Sequence, residues 1–203
     1  MQMQMRTMAG LAVLAVLAGA LGGAQGCAVP DTPLHGMVLD PPPEAPMVRI
    51  ADAAGTIIDL DDERGKRSVA LFFGYTHCPD VCPTTIADWA RANAELGSAG
   101  RGVRFIFVSV DPERDTPQVV RDYVRQFDTT FVGLVPTRAQ LDSLQASWTF
   151  AARHETTPEM KPGEYGVGHP AGTFVIDRAG RIREILPPNT SPADIASDLR
   201  RIR

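Results

Sequence analysis

The run "SVALFFGY" at residues 68–75 constrains this chain more than any other stretch. A strand that is apolar at consecutive positions has no face to give to water, so it must lie inside a sheet covered on both sides. A second run of the same kind, "VRFIFVSV", follows at residues 103–110. Between them Pro83-Thr84-Thr85 opens a helix whose inner face would carry Ile86, Trp89 and Ala90. Strand, helix and strand in this order predict a buried βαβ unit at the centre of the domain.

The flanking segments extend the pattern. "MVRIADAAGTIIDL" alternates around an Ala-Gly turn and predicts a β-hairpin ahead of the unit. After it, Thr116-Pro117 caps a helix bearing Val120, Tyr123, Val124 and Phe127 at helical spacing. A short strand "FVGLV" comes next, then a helix capped by Thr137 with Leu141, Leu144 and Trp148 turned inward. "GTFVIDRAGRIREIL" predicts a hairpin turning at Arg178-Ala179-Gly180, and Ser191-Pro192 caps a last helix with Ile195, Leu199 and Ile202 along one side. This is the thioredoxin-like order with insertions: an α/β fold, a central mixed sheet flanked by helices, and an N-terminal β-hairpin. Trp89 and Trp148 fit core packing.

Only one such domain fits in 203 residues, because the start of the chain is of another kind. "MAGLAVLAVLAGALGGAQGC" is apolar, rich in small residues and preceded only by Arg6, the layout of a signal peptide over residues 1–26. It closes on Gly26-Cys27, as bacterial lipoprotein signals do, which makes Cys27 the expected lipidated first residue; the alternative is an ordinary cleaved signal, or an uncleaved anchor, with Cys27 incidental. Residues 27–46 hold six prolines and read as an extended tether, leaving 47–203 as the domain. The expected location is the extracytoplasmic face of a bacterial membrane. Removing residues 1–26 takes the formal charge from −4 to −5, and no lysine or arginine run interrupts that balance, which argues against nucleic-acid binding.

Export bears on the remaining cysteines. Of three in the chain, Cys78 and Cys82 lie in "GYTHCPDVCPTT", where the first central strand meets the following helix. Orphan backbone N–H groups and the dipole at a helix start favour thiolates there. Outside the cytoplasm a close pair is oxidised unless it is maintained. The spacing is C-x-x-x-C, and Cβ atoms at i and i+4 of a helical turn lie about 5–6 Å apart. A disulfide needs about 3.5–4.5 Å between Cβ atoms. Metal–sulfur bonds of about 2.3 Å in a trigonal site hold two sulfurs about 4 Å apart. The extra residue therefore relaxes the pair toward a metal without forbidding a disulfide. Two thiolates select soft ions, copper(I) first among them, and two ligands rarely suffice.

Four histidines compete for the third position. His35 lies in the tether, where it is expected to be solvated. His77 adjoins Cys78, and a neighbouring residue usually points away. His154 precedes a polar loop and reads as a surface residue. His169 ends the loop "ETTPEMKPGEYGVGHP" just before a strand, and in thioredoxin-like folds that position faces the cysteine loop; a plain surface turn is the alternative.

"GYTHCPDVCPTT", then "VSVDPERDTP", then "VGHPAGTFVIDRAGRI" together resemble the Sco/SenC family of copper-binding proteins of cytochrome c oxidase assembly. The resemblance implies copper, as copper(I) or copper(II), on Cys78, Cys82 and His169. It also implies a metallochaperone role toward the copper-bearing oxidase subunit or another copper chaperone; the expected membrane contact is the lipid anchor read from residues 1–27. Asp80 matches the family pattern, with capping of the helix start as its expected role, and "DPERDTP" is expected to supply turns and caps. Many members carry Asp before the histidine; Gly168 stands there instead, so an acid beside His169 is missing from the motif. The alternative function is a thiol-disulfide oxidoreductase using Cys78 and Cys82 on an oxidase subunit or partner chaperone. A peroxiredoxin-like peroxidase fits the doublet and distal histidine poorly.

Overall fold

The computed structural model describes residues 33–158 and 160–202. The expected signal peptide over 1–26 and the lipidation site at Cys27 lie outside the described residues. In chain order the elements are β1 (Met37–Val38), β2 (Arg49–Ala51), β3 (Ile57–Asp59), β4 (Ser68–Gly74), α1 (Val81–Leu96) and β5 (Val103–Ser109). There follow α2 (Pro117–Arg125), β6 (Val132–Leu134), α3 (Arg138–Ser147), β7 (Arg153–Glu155), β8 (Gly166–Gly168), β9 (Thr173–Ile176), β10 (Ile182–Leu186) and α4 (Pro192–Arg201).

One six-stranded sheet, ordered β1-β10-β9-β4-β5-β6, organises the domain. β4 runs parallel to β5 in full register, Ser68 opposite Val103 through Gly74 opposite Ser109, and every residue of β4 is buried. Its two phenylalanines point to opposite faces, as the period-2 alternation of a strand requires. Phe72 meets Trp89 of α1 edge-on at 6.2 Å, and Phe73 meets Trp148, just past α3, at 5.3 Å. Helices therefore cover both faces, and each buried Leu or Phe contributes roughly 1.5–3 kcal/mol relative to exposure. This is the thioredoxin-like arrangement, and β2 and β3 form the predicted hairpin as a separate two-stranded sheet. The caps also form where the residues predict them: Thr116, Thr137 and Ser191 each accept a hydrogen bond from the backbone N–H three residues on.

Two elements differ from the sequence reading. The hairpin β7–β8, pairing His154 with Val167, had no signal in its polar residues. The other is the tether. From residue 33 it is docked on the domain: Met37 and Val38 pair with Ile185 and Glu184, and Glu44 bridges Arg181. His35 is correspondingly not a free, solvated side chain. Its backbone N–H donates to Asp198 at 2.8 Å, Nδ1 lies 3.0 Å from the same carboxylate, and Nε2 lies 3.1 Å from Asp194. Gly36 N–H donates to Glu184 at 3.0 Å. These bonds join residues more than 140 positions apart, which no local pattern encodes.

The latch is pH-dependent in a fixed direction. The Asp198 hydrogen bond raises the His35 pKa, and burial followed by the Asp198 charge raises Glu184 to about 7. The docked strand favours protonated His35, which faces the Asp198 and Asp194 carboxylates, whereas its own contacts to Glu184, the Gly36 N–H and the His35 charge, lower that carboxyl. The His35 contribution to docking is therefore full below the ordinary imidazole pKa and lost as pH rises through the raised His35 value. Hydrogen exchange should show protection of the Leu39 amide, which donates to Arg183 O, falling between pH 6 and 8 relative to the core amide of Leu71. A constant ratio would contradict the latch.

Candidate metal centre

Sheet order brings together residues 87 positions apart. β9 runs antiparallel to β4, Leu71 opposite Phe174, so the loop entering β9 reaches the loop leaving β4. The first carries His169 and the second carries Cys78. The helix begins at Val81, two residues earlier than the sequence suggested, which places Cys82 in its first turn. Pro83 then stands third in the helix, where a missing N–H is harmless.

That proline also decides the fate of the helix start. An N-cap side chain bonds the N–H of the second or third helical residue. Pro83 has none to offer, and the Cys82 N–H faces the Cys78 sulfur instead. Asp80 accordingly occupies the N-cap position without a side-chain capping bond, contrary to the expected role.

Cys78 and Cys82 are free thiols, the first half-buried and the second fully buried. Cys82 Sγ lies 3.7 Å from His169 Nε2, and the two sulfurs and one ring nitrogen all fall within 4.8 Å of one another. Among the described residues this is the only cluster of three or more cysteine, histidine or carboxylate side chains so arranged. His169 Nδ1 sits 3.0 Å from the Pro170 carbonyl, which can only accept, so Nδ1 carries the proton and Nε2 presents its lone pair to the sulfurs. The rings of Phe72 and Tyr75, edge-on at 5.6 and 5.7 Å, hold the imidazole in place. Gly74 is required beneath it: a Cβ there would stand 2.8 Å from the Cys82 sulfur and 2.7 Å from Phe72.

The two thiols differ in acidity. A hydrogen bond from Cys82, together with the N–H groups of Asp80 and Cys82, holds the Cys78 pKa far below the usual thiol range against the opposing effect of burial. The same hydrogen bond, with burial, pushes Cys82 up. One thiolate thus pre-exists, and the second thiol loses its proton when a cation binds.

The histidines separate as follows. His77 turns its ring toward Thr76 and Asp115, away from the sulfurs, and is about half exposed. His154 stacks on Tyr165 with ring centroids 3.9 Å apart. "DPERDTP" does more than turn and cap. Buried Asp115 accepts hydrogen bonds from Thr76 N, Thr76 Oγ1 and Ser109 Oγ, which pins the loop leading to Cys78. Arg114 donates to the Tyr165 carbonyl and lies 3.6 Å over that ring, steadying the loop that leads to His169. Sequence reasoning missed both positioning roles, since neither partner is local. An acid also stands beside Gly168 after all. Glu155 of β7 puts Oε1 in clashing distance of a Cβ at 168.

The family profile described as SCO1/SenC matches residues 44–203. The chain belongs to the SCO1/SenC family. A SCO2-like protein of Rickettsia felis is 27% identical over 151 residues, 74% of this chain and 73% of that one. ScoI of Bradyrhizobium japonicum, solved with copper bound, is 32% identical with a TM-score of 0.70, covering 79% of this chain and 99% of the other. The solution structure of apo Sco1 from Thermus thermophilus is 32% identical with a TM-score of 0.72, covering 84% and 98%. Membership in the SCO1/SenC family rests on the whole domain, well beyond the three short motifs.

Proposed function

We propose that this protein is a copper chaperone for assembly of the copper centre of cytochrome c oxidase, holding its cargo on Cys78, Cys82 and His169. The observation that carries the reading is the convergence of two free sulfurs and one oriented imidazole nitrogen within 4.8 Å. A trigonal site with metal–sulfur bonds of about 2.3 Å has edges of about 4 Å, so small shifts close the set around one ion. Two thiolates and one imidazole suit copper(I), and the nitrogen admits copper(II). The similar B. japonicum protein was solved with copper bound, which supports the same cargo here. Residues 1–26 are proposed as a lipoprotein signal and Cys27 as the lipid anchor, which would place the domain on the extracytoplasmic membrane face.

A second reading has its own observation in the unequal thiols. A Cys78 thiolate beside a protonated Cys82 is the arrangement of a dithiol reductant. Cys78 would attack a target disulfide and release one target thiolate, and Cys82 would then resolve the mixed disulfide. The target gains two electrons and the pair ends as a disulfide.

Mixing the copper(I)-loaded full chain with the metal-free, reduced copper-bearing oxidase subunit separates the two. Chaperone action transfers copper while Cys78 and Cys82 remain thiols. Copper retained on the chain, together with reduction of the subunit when it is supplied as a disulfide, would favour the oxidoreductase.

A further inference from the structure

A second site lies at the far end of the sheet. Arg67 precedes β4 and Arg104 is the second residue of β5, whereas Cys78 follows the other end of β4, seven residues or about 20 Å away. There a cleft of about 780 Å³ is lined by Arg67, Arg101, Arg104, Arg121 and Arg125, with Asp52 as the one acid on its wall. The chain carries net charge −4 and 20 basic residues, so a quarter of its cations surround one cleft of an acidic protein. In sequence they are scattered; the fold assembles them.

Their existing partners do not use up this charge. Arg67 is held by Glu63 in a bidentate pair, and Arg121 by Asp122. Arg101 and Arg125 lie outside ion-pair distance of any carboxylate among the described residues, and both are exposed. Arg104 is the telling member. Its Nε is buried and makes no hydrogen bond, with Glu63 3.8 Å away and beyond bonding reach. Burial, and then the Arg67 charge, disfavour its cation. Glu63, already bonded to Arg67, supplies only part of the counter-charge and leaves the Arg104 Nε without an acceptor, so a further anion between the two guanidinia would be stabilised.

We propose that this cleft binds a compact phosphate-bearing anion, with Arg104 and Arg125 as principal contacts. Planar guanidinium forks carried on one cleft by separate elements, Arg104 on β5 and Arg121 and Arg125 on α2, suit the oxygens of a phosphate, and the cleft has the volume of a small-molecule site. The phosphate belongs to a soluble di- or oligophosphate or to the headgroup of an anionic lipid.

Inorganic pyrophosphate, titrated calorimetrically into the full chain, is the probe. Binding is expected, weakening as salt rises, with Arg104→Gln and Arg125→Gln each reducing affinity about tenfold. Copper loading at the opposite end, measured on the same samples, should be unchanged. Arg125 is exposed, so its variant remains informative if Arg104→Gln fails to fold. Displacement of pyrophosphate by phosphatidylglycerol vesicles but not phosphatidylcholine vesicles identifies the lipid headgroup; retention against both identifies the soluble anion. No pyrophosphate binding at millimolar concentration, or equal binding by wild type and both variants, overturns the proposal.

Discussion

Replacing either site cysteine, Cys78→Ser or Cys82→Ser, is expected to abolish binding of the single copper(I) that the reduced chain takes up. Loss of an outer partner of a metal site already costs roughly 10–100-fold in affinity, and removing a thiolate that touches the metal costs more. The hydroxyl of serine is a hard, neutral donor and does not replace a soft anionic one. The two positions should differ in side effects. Cys82 is fully buried against Gly74, so its serine variant lowers thermal stability as well, while half-buried Cys78 tolerates the change. Copper stoichiometry by elemental analysis of the reduced variants checks this. One copper retained by either variant would contradict the assignment.

His169→Ala is expected to divide the two oxidation states of copper. Two thiolates can hold copper(I) linearly, so the variant keeps some of it. Copper(II) prefers more ligands with nitrogen among them, so it should be lost, and with it the sulfur-to-copper charge-transfer absorption that wild type shows. The imidazole sits against Phe72 and Tyr75 at the domain surface, so truncation should leave a folded chain. His154→Ala removes a histidine stacked on Tyr165 outside the cluster and should leave both oxidation states as in wild type. Identical copper(II) spectra for His169→Ala and wild type would return His169 to the role of a turn residue.

What the sequence disclosed and what it hid follow from the range of the interactions. Thr116-Pro117, Thr137 and Ser191 cap helices through bonds spanning three residues, and the runs 68–75 and 103–110 carry their burial in their own composition. The cysteine pair was legible as a motif, and His169 as the residue ahead of a strand. The edge strand β1 was not, because its partner β10 is some 148 residues away and its own prolines suggest a free tether. Asp115 and Arg114 were equally hidden as neighbours of the site: each holds a loop through partners distant in sequence. Gly168 shows the consequence most plainly. Read alone, it marks a missing acid; in the fold, the Glu155 carboxylate lies so close across the hairpin that a Cβ at 168 would clash with it.

X-ray absorption on the copper(I)-loaded full chain tests the ligand set most directly. Two sulfur scatterers near 2.3 Å and one nitrogen near 2.0 Å, values typical of soft-metal thiolate and imidazole bonds to within about 0.2 Å, are the expected result. A first shell without sulfur, or one with sulfur only that is unchanged by His169→Ala, would contradict a site built from Cys78, Cys82 and His169.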